Sequence, residues 1–117
     1  MKMKRDISIY LKDVLENIER AENFVKSMKY DEFVKDEKTH YAVVRCIEII
    51  GEAVKHIPDP VRQKYPQIPW KDIAGMRDKV IHSYFGVNLE RVWLVVKNDI
   101  PKIKPLIKKV FEDLRGG

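Results

Sequence analysis

The sequence has almost no cysteine and no long apolar run. Its single cysteine, Cys46, excludes an internal disulfide and any zinc site built from cysteines, so we expect a reducing compartment. The chain opens with MKMKRDISIY, which is charged from its second residue and lacks the apolar centre of a signal peptide. No later run is long enough to cross a membrane. The sequence therefore predicts a cytoplasmic protein without a membrane segment.

The composition is that of a globular protein with a heavily charged surface. Hydrophobic residues make up 44% and charged residues 35% of 117 residues, which is the size of one domain with one core. We expect a single domain over residues 1–117. Lysine and arginine outnumber aspartate and glutamate by 23 to 18, giving a net charge of +5. This excess suits an anionic partner without requiring one.

Two helices are predicted in the first half of the chain. Apolar residues from Ile7 to Met28 recur in steps of four and three, the spacing that lines one face of a helix. The same spacing runs from Val43 to Ile57, and the polar residues between these positions form a narrow stripe. The stretch Tyr30–Lys38 is predicted to interrupt the helices, and the segment DPVRQKYP to carry one helical turn.

A third helix is predicted from Pro69 or Trp70 to about Tyr84. Gly86 stands where a helix end commonly takes a left-handed residue. On such a helix Arg77 and Tyr84, seven residues apart, share a face, whereas His82 lies roughly 140° around the axis from Arg77. This arrangement favours a composite site, to which two copies of the chain could each contribute.

The last helix is predicted to begin after Asn88, which is a suitable N-terminal cap. Apolar residues from Leu89 to Leu114 keep the four-three spacing through Pro101 and Pro105, so we expect one kinked helix or two abutting ones. The predicted architecture is all-α, an up-and-down bundle of four to five helices.

The segment RDKVIHSYF carries the residue types most suited to chemistry. Cleavage of an RNA phosphodiester requires a proton to leave the 2′-hydroxyl, another to reach the 5′-oxygen, and charge on phosphorus to be stabilised. The imidazole of His82 can exchange protons near neutral pH, and Arg77 can clamp a phosphate. Tyr84 adds a hydroxyl. No metal is required.

Structural roles for the same residues remain open at this point. Arg77 could pair with a carboxylate of the second helix, such as Glu48 or Glu52, and His82 could be an exposed cation near a helix end. Tyr84 could be an ordinary residue at the edge of the core. Glu48, Glu52 and His56 are four apart, but a solvated stripe is favoured over a metal site.

The Arg, four residues, His, one residue, Tyr arrangement of RDKVIHSY resembles the signature of HepT-type HEPN toxins. The similarity extends from DISIYLKDVLENIERAENF through RCIEIIGEA and IPWKDIAGMRDKVIHSYFGVNLERVW to NDIPKIKPLIKKVF. It implies an HEPN-like homodimer that cleaves RNA without a metal or cofactor, with Arg77 and His82 of both subunits meeting in a cleft. The stripe formed by Arg45, Glu48 and Glu52 resembles polar positions that line this cleft.

The resemblance also implies a partner. This would be an antitoxin, a minimal nucleotidyltransferase (MNT-type) that silences the toxin by transferring AMP to Tyr84. The main alternative is a non-catalytic bundle that binds a nucleotidyltransferase and presents substrate to it. A basic helical nucleic-acid binder ranks last, because nothing in the sequence resembles a recognition helix.

Overall fold

Helices make up most of the described residues of the computed structural model, which describes the backbone of residues 2–82 and 86–116 and the side chains of 6–81 and 86–116. In chain order the elements are α1 (Lys2–Val25), α2 (Tyr30–Lys35), α3 (Glu37–Lys55), α4 (Asp59–Lys64), α5 (Trp70–Ala74), α6 (Met76–Val80), β1 (Ile81–His82), β2 (Gly86–Val87), α7 (Leu89–Leu94), a π-helical segment (Val95–Asp99) and α8 (Ile100–Gly116). The predicted all-α bundle is confirmed. The predicted homodimer stays a prediction.

The long helices α1, α3 and α8 form the framework of the bundle. Tyr10, near the start of α1, stacks on His56, just beyond the end of α3, with ring centroids 4.7 Å apart. At the other end of α1, the Glu22 carboxylate accepts a 2.9 Å hydrogen bond from Lys104 near the start of α8. Helix α1 therefore runs antiparallel to both partners, as an up-and-down bundle requires.

The apolar seams predicted from the sequence lie in the core. Six apolar residues of α1 are buried, namely Ile7, Leu11, Val14, Ile18, Ala21 and Val25. The predicted positions of α3 are buried with them, from Val43 to Val54, and Ile57 just beyond the helix is buried too. The buried apolar residues form one cluster. Removal of this apolar surface from water is the main force that holds the helices together.

The last helix begins and bends as its sequence indicates. The side-chain oxygen of Asn88 accepts a 3.0 Å hydrogen bond from the backbone N–H of Arg91, which confirms the predicted cap. The chain then stays helical to Gly116, with a π-helical segment that ends two residues before Pro101. Proline has no N–H and crowds the preceding turn, so the wider π turn accommodates Pro101 without ending the helix.

The prediction of one helix from Trp70 to Tyr84 is wrong. The helical region is divided at Gly75, and α6 ends at Val80. Ile81 and His82 are extended and pair antiparallel with Val87 and Gly86. The helix stops because the Val80 carbonyl accepts a 2.7 Å hydrogen bond from the N–H of Asn88, eight residues later, in place of the next helical turn.

Gly86 has the predicted left-handed backbone, with a φ of 76°. It is the first residue of β2, the second strand of this short hairpin. The prediction that it follows a helix end is therefore wrong. Helix α6 reaches neither His82 nor Tyr84, so the angles derived from a continuous helix do not apply to them. Tyr84 lies outside the described residues.

Candidate active site

Arg77 on α6 pairs with Glu48 on α3. The Arg77 Nε donates a 3.2 Å hydrogen bond to Glu48 Oε2, and its Nη1 lies 3.6 Å from a carboxylate oxygen of Asp78. The Arg77 side chain is 50% exposed, and that of Glu48 is 30% exposed. The ion pair expected as an alternative role for Arg77 is therefore present, and Glu48 is the partner. Half of the Arg77 side chain still faces solvent, so it can meet a ligand.

Glu48 lies between two guanidinium groups. Its Oε1 is 3.9 Å from Arg45 Nη1, while its Oε2 binds Arg77. The third residue of the predicted stripe, Glu52, is paired instead with Lys55 at 3.8 Å. The structure thus brings Arg45, Glu48 and Arg77 together, and Glu52 continues the stripe one turn farther along α3.

Local packing fixes the position of Arg77. Met76 and Val80 are buried and hold α6 against the core, which leaves Arg77 on the outer side. One turn beyond Glu48, Gly51 allows α3 to approach α5 closely, because a Cβ atom there would lie 3.0 Å from the Ala74 carbonyl oxygen. This close approach brings α6 within reach of Glu48.

His82 follows α6 on strand β1, where its backbone pairs with Gly86. Its imidazole and the Tyr84 side chain lie outside the described side chains. The structure therefore places Arg77 directly and places His82 through its backbone only. The catalytic roles of Arg77 and His82, and the modification of Tyr84, stay predictions.

Two cavities lie beside the polar stripe of α3. Arg45 and Glu48 line both of them. The larger, of about 630 Å³, lies between α3 and the β1–β2 hairpin. The smaller, of about 210 Å³, lies between α3 and α1, and Glu52 and His56 line it. A volume of several hundred Å³ is typical of ligand sites. The stripe is therefore accessible from two sides at the point where Arg77 meets it.

Sequence reasoning missed two residues of the larger cavity, His40 and Tyr41. Tyr41 is 69% exposed, whereas the Nε2 of His40 lies 3.2 Å from the Val34 carbonyl oxygen. A signal was present, since Tyr41 stands four residues before Arg45, on the same helix face. The predicted polar stripe started at Arg45 and so omitted Tyr41, one helical turn before it.

Other chemistry is limited among the described side chains, residues 6–81 and 86–116. They contain no group of three His, Cys, Asp or Glu residues that could hold a metal ion. Cys46 is buried on α3, and burial raises the pKa of its thiol above the ordinary value, which disfavours the nucleophilic thiolate. No helix in the described part of the chain is long and apolar enough to cross a membrane.

A sequence model described as Ribonuclease HepT-like matches residues 14–110. The chain belongs to the HepT-like ribonuclease family. The resemblance noted in the sequence is therefore confirmed, and so is the expectation of a ribonuclease. The HepT-like assignment covers α3, α6, the hairpin and most of α8, and thus the elements that carry Arg45, Glu48, Arg77 and His82.

Relatives of this HepT-like chain match it over nearly its whole length. Two proteins of Methanocaldococcus jannaschii, both provisionally named RNases, are 52% identical over 113 residues and 51% identical over 111 residues. These alignments cover 97% and 95% of this chain and 93% and 96% of the relatives. A Thermococcus cleftensis protein named probable ribonuclease HepT is 46% identical over 108 residues, covering 92% of this chain and 98% of its own. No solved structure matches the chain.

Proposed function

We propose that this single-domain protein is a metal-independent endoribonuclease toxin that acts in the cytoplasm as a homodimer. One observation carries the proposal. Glu48, which borders both cavities, holds the Arg77 guanidinium, and the half-exposed Arg77 side chain stands five residues before His82. A guanidinium in this position can bind a phosphate through its remaining N–H groups. Membership in a ribonuclease family supports RNA as the phosphate-bearing substrate.

The proposed reaction is an internal transfer. The His82 imidazole takes the proton of a 2′-hydroxyl, and the 2′-oxygen attacks the adjacent phosphorus. The bond from phosphorus to the 5′-oxygen breaks, and that oxygen takes a proton from a second imidazole, His82 of the other copy. Arg77 stabilises the added negative charge on phosphorus. The products are a 2′,3′-cyclic phosphate and a 5′-hydroxyl.

The proposed reaction needs two proton transfers at one phosphate, and a homodimer could supply a separate imidazole for each. Each copy carries one Arg77 and one His82, so a shared cleft supplies one imidazole as base and one as acid. The side of α3 that holds Arg45, Glu48 and Glu52 is proposed to line this cleft. An exposed guanidinium next to the cleft raises the local concentration of a polyanionic substrate.

Regulation is proposed to act at Tyr84. An MNT-type nucleotidyltransferase antitoxin would transfer AMP from ATP to the tyrosine oxygen and release pyrophosphate. The added group carries a negative phosphate two residues after His82. It would therefore repel the RNA phosphates that Arg77 attracts and fill space near the imidazole. The toxin would be silenced without unfolding.

Cleavage of RNA by the purified protein in EDTA tests the catalytic proposal. Wild-type protein should cut, whereas Arg77→Ala and His82→Ala should each lose nearly all activity. Arg91→Ala removes an arginine of α7 that lines neither cavity, and it should cleave normally. Cleavage retained by an Arg77→Ala, His82→Ala double variant would contradict the site. Tight binding of a nucleotidyltransferase by a chain that never cleaves RNA would favour the non-catalytic alternative.

Intact-mass measurement tests the modification. Incubation with ATP and the partner transferase should add AMP-sized increments to wild-type protein and abolish its ribonuclease activity. Tyr84→Phe should gain no increments, while Tyr30→Phe should be modified like the wild type. Increments that persist in Tyr84→Phe would place the modification elsewhere.

A further inference from the structure

We infer that the ring of Tyr41 stacks on a nucleobase beside the scissile phosphate and thereby contributes to the choice of cleavage site. The inference rests on the proposed function, because it takes RNA as the substrate and Arg77 as the phosphate-binding group. It assigns the larger cavity, which the reaction itself does not use, to the base of one flanking nucleotide.

The position of the cavity is the first argument. Glu48 binds Arg77 at 3.2 Å and also lines the larger cavity, so one carboxylate joins the guanidinium to the cavity wall. A phosphate bound by Arg77 carries a nucleotide on each side. One of these nucleotides can therefore reach the space between α3 and the hairpin.

The character of the cavity wall is the second argument. Val44 and Leu89 give it an apolar wall, Ile81 and Val87 of the hairpin add to this surface, and Tyr41 stands at its exposed side. An exposed aromatic ring beside apolar side chains provides a face for a base, since stacking requires only a flat π surface. At about 630 Å³ the cavity is large enough for one base and its sugar.

The charges at the rim are the third argument. Arg45 lines the same cavity, and its side chain is 71% exposed. It can therefore meet the phosphate of the nucleotide whose base enters the cavity, while Arg77 meets the scissile one. Glu37 and Glu48 line this cavity too, so its rim carries both signs of charge, and Arg45 is the group there that can meet a phosphate while the apolar wall takes the base.

His40 also lines the cavity, and two contacts hold its ring. Its Nε2 faces the Val34 carbonyl oxygen at 3.2 Å, and because a carbonyl only accepts, Nε2 carries the proton. The ring also meets the buried Phe33 edge-on, with centroids 5.7 Å apart. Tyr41 is stacked at 6.3 Å on this anchored ring and so offers a base a partly pre-ordered platform.

Binding of a non-cleavable RNA, 2′-O-methylated throughout, tests the inference directly. Loss of one stacked base weakens binding by roughly 5- to 150-fold. Tyr41→Ala should show a loss in this range by fluorescence anisotropy, whereas Tyr41→Phe and Tyr41→Trp should bind within about threefold of wild type, because they keep the ring. Phe24→Ala is the matched control, since Phe24 is 42% exposed on α1 and lines neither cavity.

Cleavage-site mapping on a random-sequence RNA pool supplies the second measurement. Tyr41→Ala should still cut, but its base preference at one position flanking the cut should weaken, while Tyr41→Phe keeps it. Unchanged affinity and preference in Tyr41→Ala would overturn the inference, and the proposed function would survive if Arg77→Ala remained inactive. A shift of Tyr41→Ala from dimer to monomer in sedimentation velocity would assign the ring to a subunit contact and also overturn it.

Discussion

Replacement of Glu48 tests whether this residue mainly positions Arg77 for cleavage or mainly stabilises the bundle. Two unit charges 3.2 Å apart attract by about 1.3 kcal/mol in water and by about 5 kcal/mol at an effective dielectric constant of 20. Arg77 is 50% exposed, so solvent screening and the entropy of ordering both side chains reduce the net contribution to below about 1 kcal/mol. Glu48→Ala should therefore lower the melting temperature by no more than about 5 °C.

The effect on cleavage should be larger. Without Glu48 the Arg77 guanidinium loses its 3.2 Å acceptor and samples other rotamers, which should reduce kcat by about 10- to 100-fold. Glu48→Gln keeps an oxygen that can accept from Nε and removes a negative charge near the phosphate. It should retain kcat within about threefold and lower KM for RNA by about 2- to 5-fold.

Thermal unfolding and steady-state cleavage of the same preparations decide between these effects. Glu16→Ala is the matched control, because it removes an ion-paired glutamate of α1, 3.4 Å from Arg20 and outside both cavities. An unchanged kcat in Glu48→Ala would refute the positioning role. An equal loss of kcat in Glu48→Ala and Glu48→Gln would show that the charge matters and the hydrogen bond does not.

Substitutions at three further positions test helix packing, helix capping and a hydrogen bond between distant parts of the chain. Gly51→Ala places a methyl group 3.0 Å from the Ala74 carbonyl oxygen. The resulting overpacking costs about 1–3 kcal/mol, which should exceed the gain in helix propensity of about 1 kcal/mol. Urea unfolding should therefore show a lower free energy of unfolding for this variant than for the wild type. Its cleavage rate should fall as α5 moves, and a fully active, more stable variant would contradict this. Asn88→Ala should lower the free energy of unfolding by about 1 kcal/mol, as measured by urea unfolding. Asn88→Asp keeps the capping oxygen and should lower it less. Tyr65 donates a 2.9 Å hydrogen bond to Asp113, and burial followed by this bond raises the Tyr65 pKa above its ordinary value of 10.0. The free energy of unfolding of the wild type should therefore fall as the pH rises through 10 and beyond. Unfolding curves measured from roughly pH 8 to 11 should show that Tyr65→Phe lacks this part of the pH-dependent loss.

The parts of the fold that depend on local sequence were predictable. Apolar spacing from Ile7 to Val25 and from Val43 to Ile57 identifies the core faces of α1 and α3, because a helix repeats on that period. The Asn88 cap is equally local, since its side chain bonds a backbone N–H only three residues away. Each of these features requires no knowledge of a distant segment.

The end of α6 was not predictable in this way. Its last carbonyl, on Val80, bonds the N–H of Asn88, and the hairpin between them depends on pairing of Ile81 with Val87. Such contacts compete with the next helical turn and are invisible to a periodic pattern. For the same reason the angles derived from one continuous helix do not hold beyond Val80.

The candidate site shows a similar division. Residue type alone singled out Arg77, but the choice between Glu48 and Glu52 as its partner depends on how closely α5 approaches α3 at Gly51. That distance is set by tertiary packing. The helical spacing places Tyr41 on the same face as Arg45, but an exposed aromatic residue indicates a ligand site only once the cavity beside it is known.

The end groups of the RNA fragments test the central proposal most directly. We expect wild-type protein in EDTA to leave a 2′,3′-cyclic phosphate and a 5′-hydroxyl at each cut. A single 2′-deoxy substitution at a mapped cut should abolish cleavage at that position only, because the attacking hydroxyl is gone. Fragments with a 5′-phosphate, or continued cleavage at the deoxy position, would contradict attack by the 2′-hydroxyl and the roles proposed for Arg77 and His82.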